Sequence, residues 1–243
     1  YARVFTFNHD LCDEKRYEKM FYPWLISISI ETQKKALADP SFFKKCHLKD
    51  VLKLTKKFKP FTKRKLACLL NSVIEINSPE ENYSKRVEVA RFYDENFPND
   101  LTLYGMKGWR KYNLSNYRGP CKWEERDKLF KDHKFNYCYE NWENDYHYIS
   151  EKIQTCFHNL CVPIYKGSLK ITDYIPKETF INANDFNSTA EIHEFISNMD
   201  EETWMGYINA IRSFILSDES NVFTIKSHAY RLLNAVNEVL AER

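Results

Sequence analysis

The chain has 243 residues, 43% of them hydrophobic and 29% charged, with a formal net charge of +2. That length holds one large domain or two small ones around a sizeable core, and the balance of charge gives no argument for a nucleic-acid partner. No run of 18 apolar residues is available to span a membrane, no signal peptide is visible, and with 5 Gly there is no GxGxxG or Walker-type loop, so a bound phosphate would rest on side chains and helix starts. The seven Cys are odd in number and form no CxxC, which reads as mostly reduced core thiols in a cytoplasmic setting. Aromatics are 16% of the chain; most are expected in the core, with some free to stack on sugars or bases.

In chain order, residues 2–7 read as a strand, followed by a polar turn, then Phe21-Tyr22-Pro23-Trp24 and an apolar stretch at 25–30. The Lys-rich interval 44–65, broken by Phe58, Pro60 and Phe61, reads as linker with short helical pieces. Asp50 interrupts its charge and no clean apolar face emerges, which weighs against a basic membrane-surface helix. Apolar residues 66–70, ending at Asn71-Ser72, predict a strand; 77–82 is a loop with Pro79; a helix is expected over about 83–93. Residues 101–104 predict a second strand stopped by Gly105, then a polar loop at 109–119 and a short charged helix at 124–134.

The stretch 135–168 organises the rest. The aromatic-rich run 135–139 suits a buried strand, and the polar 140–147 reads as a loop. Ile149, Ile153, Phe157 and Leu160 follow helical spacing with Ser150 as a cap, and 161–165 predicts another strand before Gly167. That is a β-loop-α-β unit, whose expected product is a parallel sheet. Its polar residues gather where strand gives way to helix, the edge at which open α/β sheets bind ligands. A helix start offers N–H groups and the positive end of a dipole to a phosphate, Lys152 adds a charge, and Glu151 can accept from a ribose diol: a seat for a sugar nucleotide. Taken alone, Glu151 and Lys152 read as an ordinary solvated pair, since Glu-Lys pairs are common on helices. Downstream, 180–182 predicts a strand, Ser188 or Thr189 caps a helix carrying Ile192, Phe195 and Ile196, and the tail 201–243 has helical spacing at Trp204, Tyr207, Ile208 and Ile211 and again at Ala229, Leu232, Leu233, Val236 and Leu240. There is no Asp-x-Asp metal motif, Glu191-Ile192-His193-Glu194 lacks the paired His of a zinc protease, and Gly167-Ser168 lacks a nucleophile elbow.

Four ordered motifs carry a resemblance. Phe135-Asn136-Tyr137-Cys138-Tyr139-Glu140-Asn141, Tyr148-Ile149-Ser150-Glu151-Lys152, Val162-Pro163-Ile164-Tyr165-Lys166-Gly167 and Phe180-Ile181-Asn182-Ala183-Asn184-Asp185-Phe186 together resemble the α-1,3/1,4-fucosyltransferases of glycosyltransferase family 10. Departures are Tyr139 for Phe, Trp142 for Ser, Ser150 for Thr, Ala183 for Val, Thr102 for Asp in the second strand, and one extra residue between Asn141 and Tyr148. The resemblance implies an α/β fold of GT-B type. Residues 1–60 would be the remainder of an acceptor-side domain with its linker. Residues 61–220 would form a Rossmann-like donor domain, and 221–243 a last helix packing back on the N-terminal part. It further implies an inverting hexosyltransferase that moves L-fucose from GDP-fucose to a glycan hydroxyl, with no metal or cofactor. The donor would be held by Arg86, Tyr104, Gly105, Glu140, Asn141, Tyr148, Glu151 and Lys152. Arg86 and Lys152 would meet the diphosphate, Glu151 the ribose, and Tyr148 and Asn141 the sugar-phosphate. The general base would lie ahead of Tyr1 and has no counterpart in the chain. Trp142 and the longer loop leave open a different nucleotide sugar, such as a UDP-sugar. A non-catalytic nucleotide-sugar domain of a larger protein is the other alternative. The expected partners are a donor and a carbohydrate acceptor. The expected location is cytoplasmic, peripheral to a membrane, or Golgi-like lumen for a trimmed eukaryotic chain.

Overall fold

The computed structural model describes residues 3–13, 16–23, 59–106, 108–144 and 147–241. The readings of 25–30 and of 44–58 lie outside them. Near the N-terminus, strand β1 (Val4–Thr6) pairs in parallel with β2 (Tyr17–Lys19). The polar turn expected after residue 7 therefore contains a strand. Its Tyr-Glu-Lys sequence has no apolar alternation to announce it, and the ladder to Val4–Thr6 alone defines it.

The main sheet comprises β3 (Lys65–Leu70), β4 (Leu101–Tyr104), β5 (His133–Asn144), β6 (Val162–Ser168) and β7 (Ile181–Asn182). All pairings are parallel, in the order β4-β3-β5-β6-β7. Helices α1 (Tyr83–Asn96), α2 (Trp123–Lys131), α3 (Glu151–His158), α4 (Thr189–Ser197), α5 (Glu201–Leu216) and α6 (Ile225–Ala241) follow. Because helices cover both faces, the inner strands are apolar runs rather than alternations: Ala67, Cys68 and Leu69 are all fully buried. Asn136 sits among thiols, donating to the Cys68 carbonyl at 3.1 Å and accepting from Cys156 Sγ at 3.4 Å. Cys68, Cys138, Cys156 and Cys161 are buried and free, and burial pushes the Cys156 and Cys161 thiols well above the usual range, so they stay protonated.

Two boundaries differ from expectation. The loop expected at 140–147 is largely strand: β5 runs on to Asn144 because its far half finds a new partner before α1. The Asn82 N–H donates to the Asn141 carbonyl at 3.0 Å, the Glu143 N–H to the Glu80 carbonyl at 2.8 Å, and Glu81 bridges Trp142 antiparallel. The helix expected over 124–134 ends at Lys131, since His133 already belongs to β5. Trp109, expected in a polar loop, is 1% exposed and donates from Nε1 to the Asn71 carbonyl at 2.6 Å.

The strand order matters for function. From β3 the chain moves outward to β4, then crosses back to place β5 on the other side of β3. The reversal makes a crevice beyond the carboxyl ends of β3 and β5, where doubly wound sheets bind ligands. At the other end of the chain α6 reaches the N-terminal pair of strands: Arg231 donates to the Lys19 carbonyl at 3.0 Å and Arg3 pairs with Glu238 at 2.6 Å.

Candidate active site at the sheet reversal

Arg86, on the first turns of α1, spans the crevice. Its Nη1 donates to the Ser72 carbonyl just past β3 at 2.9 Å, and its Nη2 to the Tyr139 carbonyl at 2.7 Å and Asn141 Oδ1 at 2.9 Å on β5. The guanidinium lies 4.7 Å from the Tyr83 ring centroid, and the residue is 1% exposed. Nε is buried and has no acceptor among the described residues. Burial lowers the pKa of Arg86, with Tyr83 and Glu140 opposing the shift, yet a guanidinium stays charged at any working pH.

One strand position later, Glu140 is fully buried and receives the start of α3. Its Oε1 accepts the Ser150 N–H at 2.8 Å; its Oε2 accepts Ser150 Oγ at 2.7 Å and Lys152 Nζ at 2.9 Å. Ser150 caps α3 as expected, its Oγ accepting the Lys152 N–H at 3.3 Å and Lys152 Nζ at 3.0 Å. Burial pulls the Lys152 pKa down, but Glu140 and Glu151 outweigh it and the net direction is up. Glu140, expected at the donor site, has no exposed surface, and its carboxylate serves the helix start. At the helix start the protein's own carboxylate takes the Ser150 N–H. Gly167 makes this possible, since a Cβ there would stand 2.6 Å from Glu140 Cγ and 2.6 Å from the Tyr165 hydroxyl. The sequence reading saw Gly167 only as the end of a strand that in fact continues to Ser168.

Glu151 is half-buried, and among the described residues its carboxylate has no hydrogen-bond or ion-pair partner. Tyr148 is half-buried, edge-on to Phe7 with centroids 5.5 Å apart, and burial followed by Glu140 raises its pKa. Two groups that sequence reasoning missed stand beside it. His147 adopts φ 56° and holds Asp173 at 2.7 Å through Nε2. Lys19, from β2, donates to the His147 carbonyl at 3.5 Å and also to the Phe7 carbonyl, and burial pulls its pKa down to about 8. No local signal could have found Lys19, which lies 128 residues away in sequence. At the ends of β5 to β7, Glu143 pairs with Lys166 at 2.6 Å and accepts from Asn184 at 2.8 Å, which ties the fourth sequence motif to the same sheet edge.

Residues 60–220 match the family model described as glycosyltransferase family 10 (fucosyltransferase), C-terminal part. The chain belongs to that family. An alpha-(1,3)-fucosyltransferase FucT of Helicobacter pylori is 28% identical over 112 residues, 46% of this family 10 chain and 22% of its own length. A 4-galactosyl-N-acetylglucosaminide 3-alpha-L-fucosyltransferase 9 of Mus musculus is 31% identical over 85 residues, 32% of this chain and 24% of its own. The matches thus span under a quarter of the curated relatives. Among solved structures, an alpha1,3-fucosyltransferase superposes with a TM-score of 0.58 at 20% identity, covering 98% of this chain and 68% of that one. A trehalose 6-phosphate synthase from Burkholderia multivorans gives 0.52 at 10% identity over 94% and 51%. Both likenesses support the GT-B architecture.

The remaining predicted site residues of the family 10 chain, Tyr104 and Gly105, end β4, beyond β3 from β5. Tyr104 lines a cavity of about 380 Å³ with Thr102, Cys121, Lys128 and His133, away from α3. Gly105 is a packing glycine: a Cβ would lie 2.1 Å from the Asn71 carbonyl and 2.4 Å from the Trp109 ring. Gly105→Ala should therefore break the Trp109 to Asn71 bond and cost about 1–3 kcal/mol in calorimetric unfolding. A larger groove of about 920 Å³ runs between β7, α4 and α5 and shares no residue with the predicted set. Among the described residues, no helix is long and apolar enough to cross a membrane, and no group of three His, Cys, Asp or Glu is placed to hold a metal ion.

Proposed function

We propose that this chain carries the donor site of a fucosyltransferase that moves L-fucose from GDP-fucose to a hydroxyl of a glycan acceptor, with inversion. The observation that carries the reading is the convergence of Arg86 and Lys152 on consecutive residues of one strand, Tyr139 to Asn141, at the sheet reversal. In the transfer, the acceptor oxygen bonds to the anomeric carbon as the bond from that carbon to the β-phosphate oxygen breaks. The electron pair leaves on GDP, and the hydroxyl proton passes to a base assigned to none of the described residues. Charge develops on the departing diphosphate, so cations fixed beside it lower the barrier. Lys152 supplies the remaining N–H of an ammonium already oriented by Glu140 and Ser150, and Arg86 sets the mouth of the crevice. The unpartnered carboxylate of Glu151, one residue away, suits a ribose diol, and Tyr148 closes the side toward Phe7. With the Lys152 ammonium in this role the reaction needs no divalent ion, so transfer should survive chelation by EDTA.

A thermal-shift panel tests the donor. At a hundredfold excess over Kd a ligand adds about 2.7 kcal/mol, which raises the midpoint of a chain this size by about 5–10 °C. GDP and GDP-fucose are expected to do so and UDP-sugars are not. A larger response to a UDP-sugar would overturn the assignment of the donor.

A further inference from the structure

We infer that Glu140 is a positioning residue: buried beneath the first turn of α3, it fixes the ammonium of Lys152 so that a single N–H is left to face a ligand. This deepens the reading above and rests on it for the ligand, while the geometry stands by itself. A lysine at a helix N-terminus meets the positive end of the dipole, and here it is also largely removed from water, so two effects oppose its charge. Glu140 offsets both. One of its oxygens takes the Ser150 N–H, which removes part of the dipole's unmatched positive end, and the other takes the ammonium itself at 2.9 Å.

An ammonium has three donors. One is spent on Glu140 and one on Ser150 Oγ, which leaves one. The Lys152 side chain keeps 18% of its surface while Glu140 keeps none, so of the pair it is Lys152 that a ligand can reach. Other groups frame the pair. Arg86 from α1 and Tyr165 from β6 feel the Glu140 charge, Tyr148 precedes the helix, and Glu151 lies next to Lys152 on α3. None of these reaches the ammonium as a hydrogen-bond partner among the described residues. Among the described residues Glu140 is therefore the one anion in direct contact with it. The space for that anion exists only because residue 167 has no side chain.

The test reads Lys152 directly. The 243-residue chain is labelled with a trace of acetic anhydride from pH 7 to 11, and the Lys152 peptide is quantified by mass spectrometry. In the unaltered chain the labelling midpoint of Lys152 is expected above that of an exposed lysine. In Glu140→Gln, which keeps the shape of the side chain, the midpoint should fall by about one to three pH units, and GDP should bind at least about tenfold more weakly. Gly167→Ala, which pushes Glu140 aside, should shift the midpoint the same way, and circular dichroism reports whether each variant folds. A Lys152 midpoint at or below the exposed-lysine value in the unaltered chain would overturn the inference. So would an unshifted midpoint in a folded Glu140→Gln. The labelling arm needs no ligand. A chain that binds no GDP yet shows the shift would sink the proposed function and leave the positioning role standing.

Discussion

Lys152→Ala should reduce fucosyl transfer by about 10²–10³-fold, the usual cost of removing one group that stabilises charge developing in the transition state. It should also destabilise the chain, and the buried pair explains why. Glu140 would be left with no exposed surface and, among the described residues, only Ser150 as a hydrogen-bond partner. Breaking a buried ion pair from one side costs about 3–5 kcal/mol, because the remaining charge is uncompensated, whereas removing both charges together is often close to neutral. The informative variant is therefore the double substitution Glu140→Gln with Lys152→Met. It should unfold within a few degrees of the unaltered chain and still lose transfer to the same extent as Lys152→Ala. Measuring kcat/KM alongside the unfolding midpoint for the single and the double variants separates the two effects. A double variant that retained turnover would remove Lys152 from the mechanism, whatever the single variant did.

Much of the site was legible in the sequence because it is local. Ser150, Glu151 and Lys152 lie on one helical turn, so a cap signal and a change of hydrophobic period place them together at the end of β5. The strand order was not legible. A parallel sheet follows from β-α-β units, but which neighbour each strand takes depends on long-range packing. The bearing of Arg86 on Tyr139 and Asn141 crosses more than fifty residues. The loop expected at 140–147 failed for a related reason. Glu140, Asn141, Glu143 and Asn144 look like loop chemistry, yet distant backbone partners at Glu80 and Asn82 make that stretch a strand. Within it Glu140 turns inward, which composition would never suggest, since an acid is rarely buried unless fully partnered. The clue was Gly167, whose missing side chain is the space Glu140 fills, and that is a contact between strands rather than a local pattern.

Arg86→Met should damage the fold about as much as Lys152→Ala. Methionine keeps most of the apolar stem against Tyr83 but strands the Ser72 carbonyl, the Tyr139 carbonyl and Asn141 Oδ1. A buried acceptor left without its donor, here the Tyr139 carbonyl, costs about 1–3 kcal/mol, and the half-buried Ser72 and Asn141 acceptors add less each. Relaxation and water entry recover part of this, so a net loss of roughly 3–5 kcal/mol is expected, out of a total stability of about 5–15 kcal/mol for a typical domain. At 2–4 °C for each kcal/mol, the unfolding midpoint should drop by about 6–20 °C. Arg86→Lys should fall between, because a single ammonium on a flexible stem cannot replace a planar fork that bridges two strand ends. The same substitutions should weaken GDP binding in proportion to the loss of stability, since Arg86 has 1% of its surface exposed and shapes the crevice chiefly by tying β3 to β5. That pattern is the opposite of the one expected for the Glu140→Gln, Lys152→Met double variant, in which stability holds and transfer fails. If Arg86→Met instead unfolded normally while GDP affinity collapsed, the guanidinium would have to leave its carbonyls and meet the diphosphate directly.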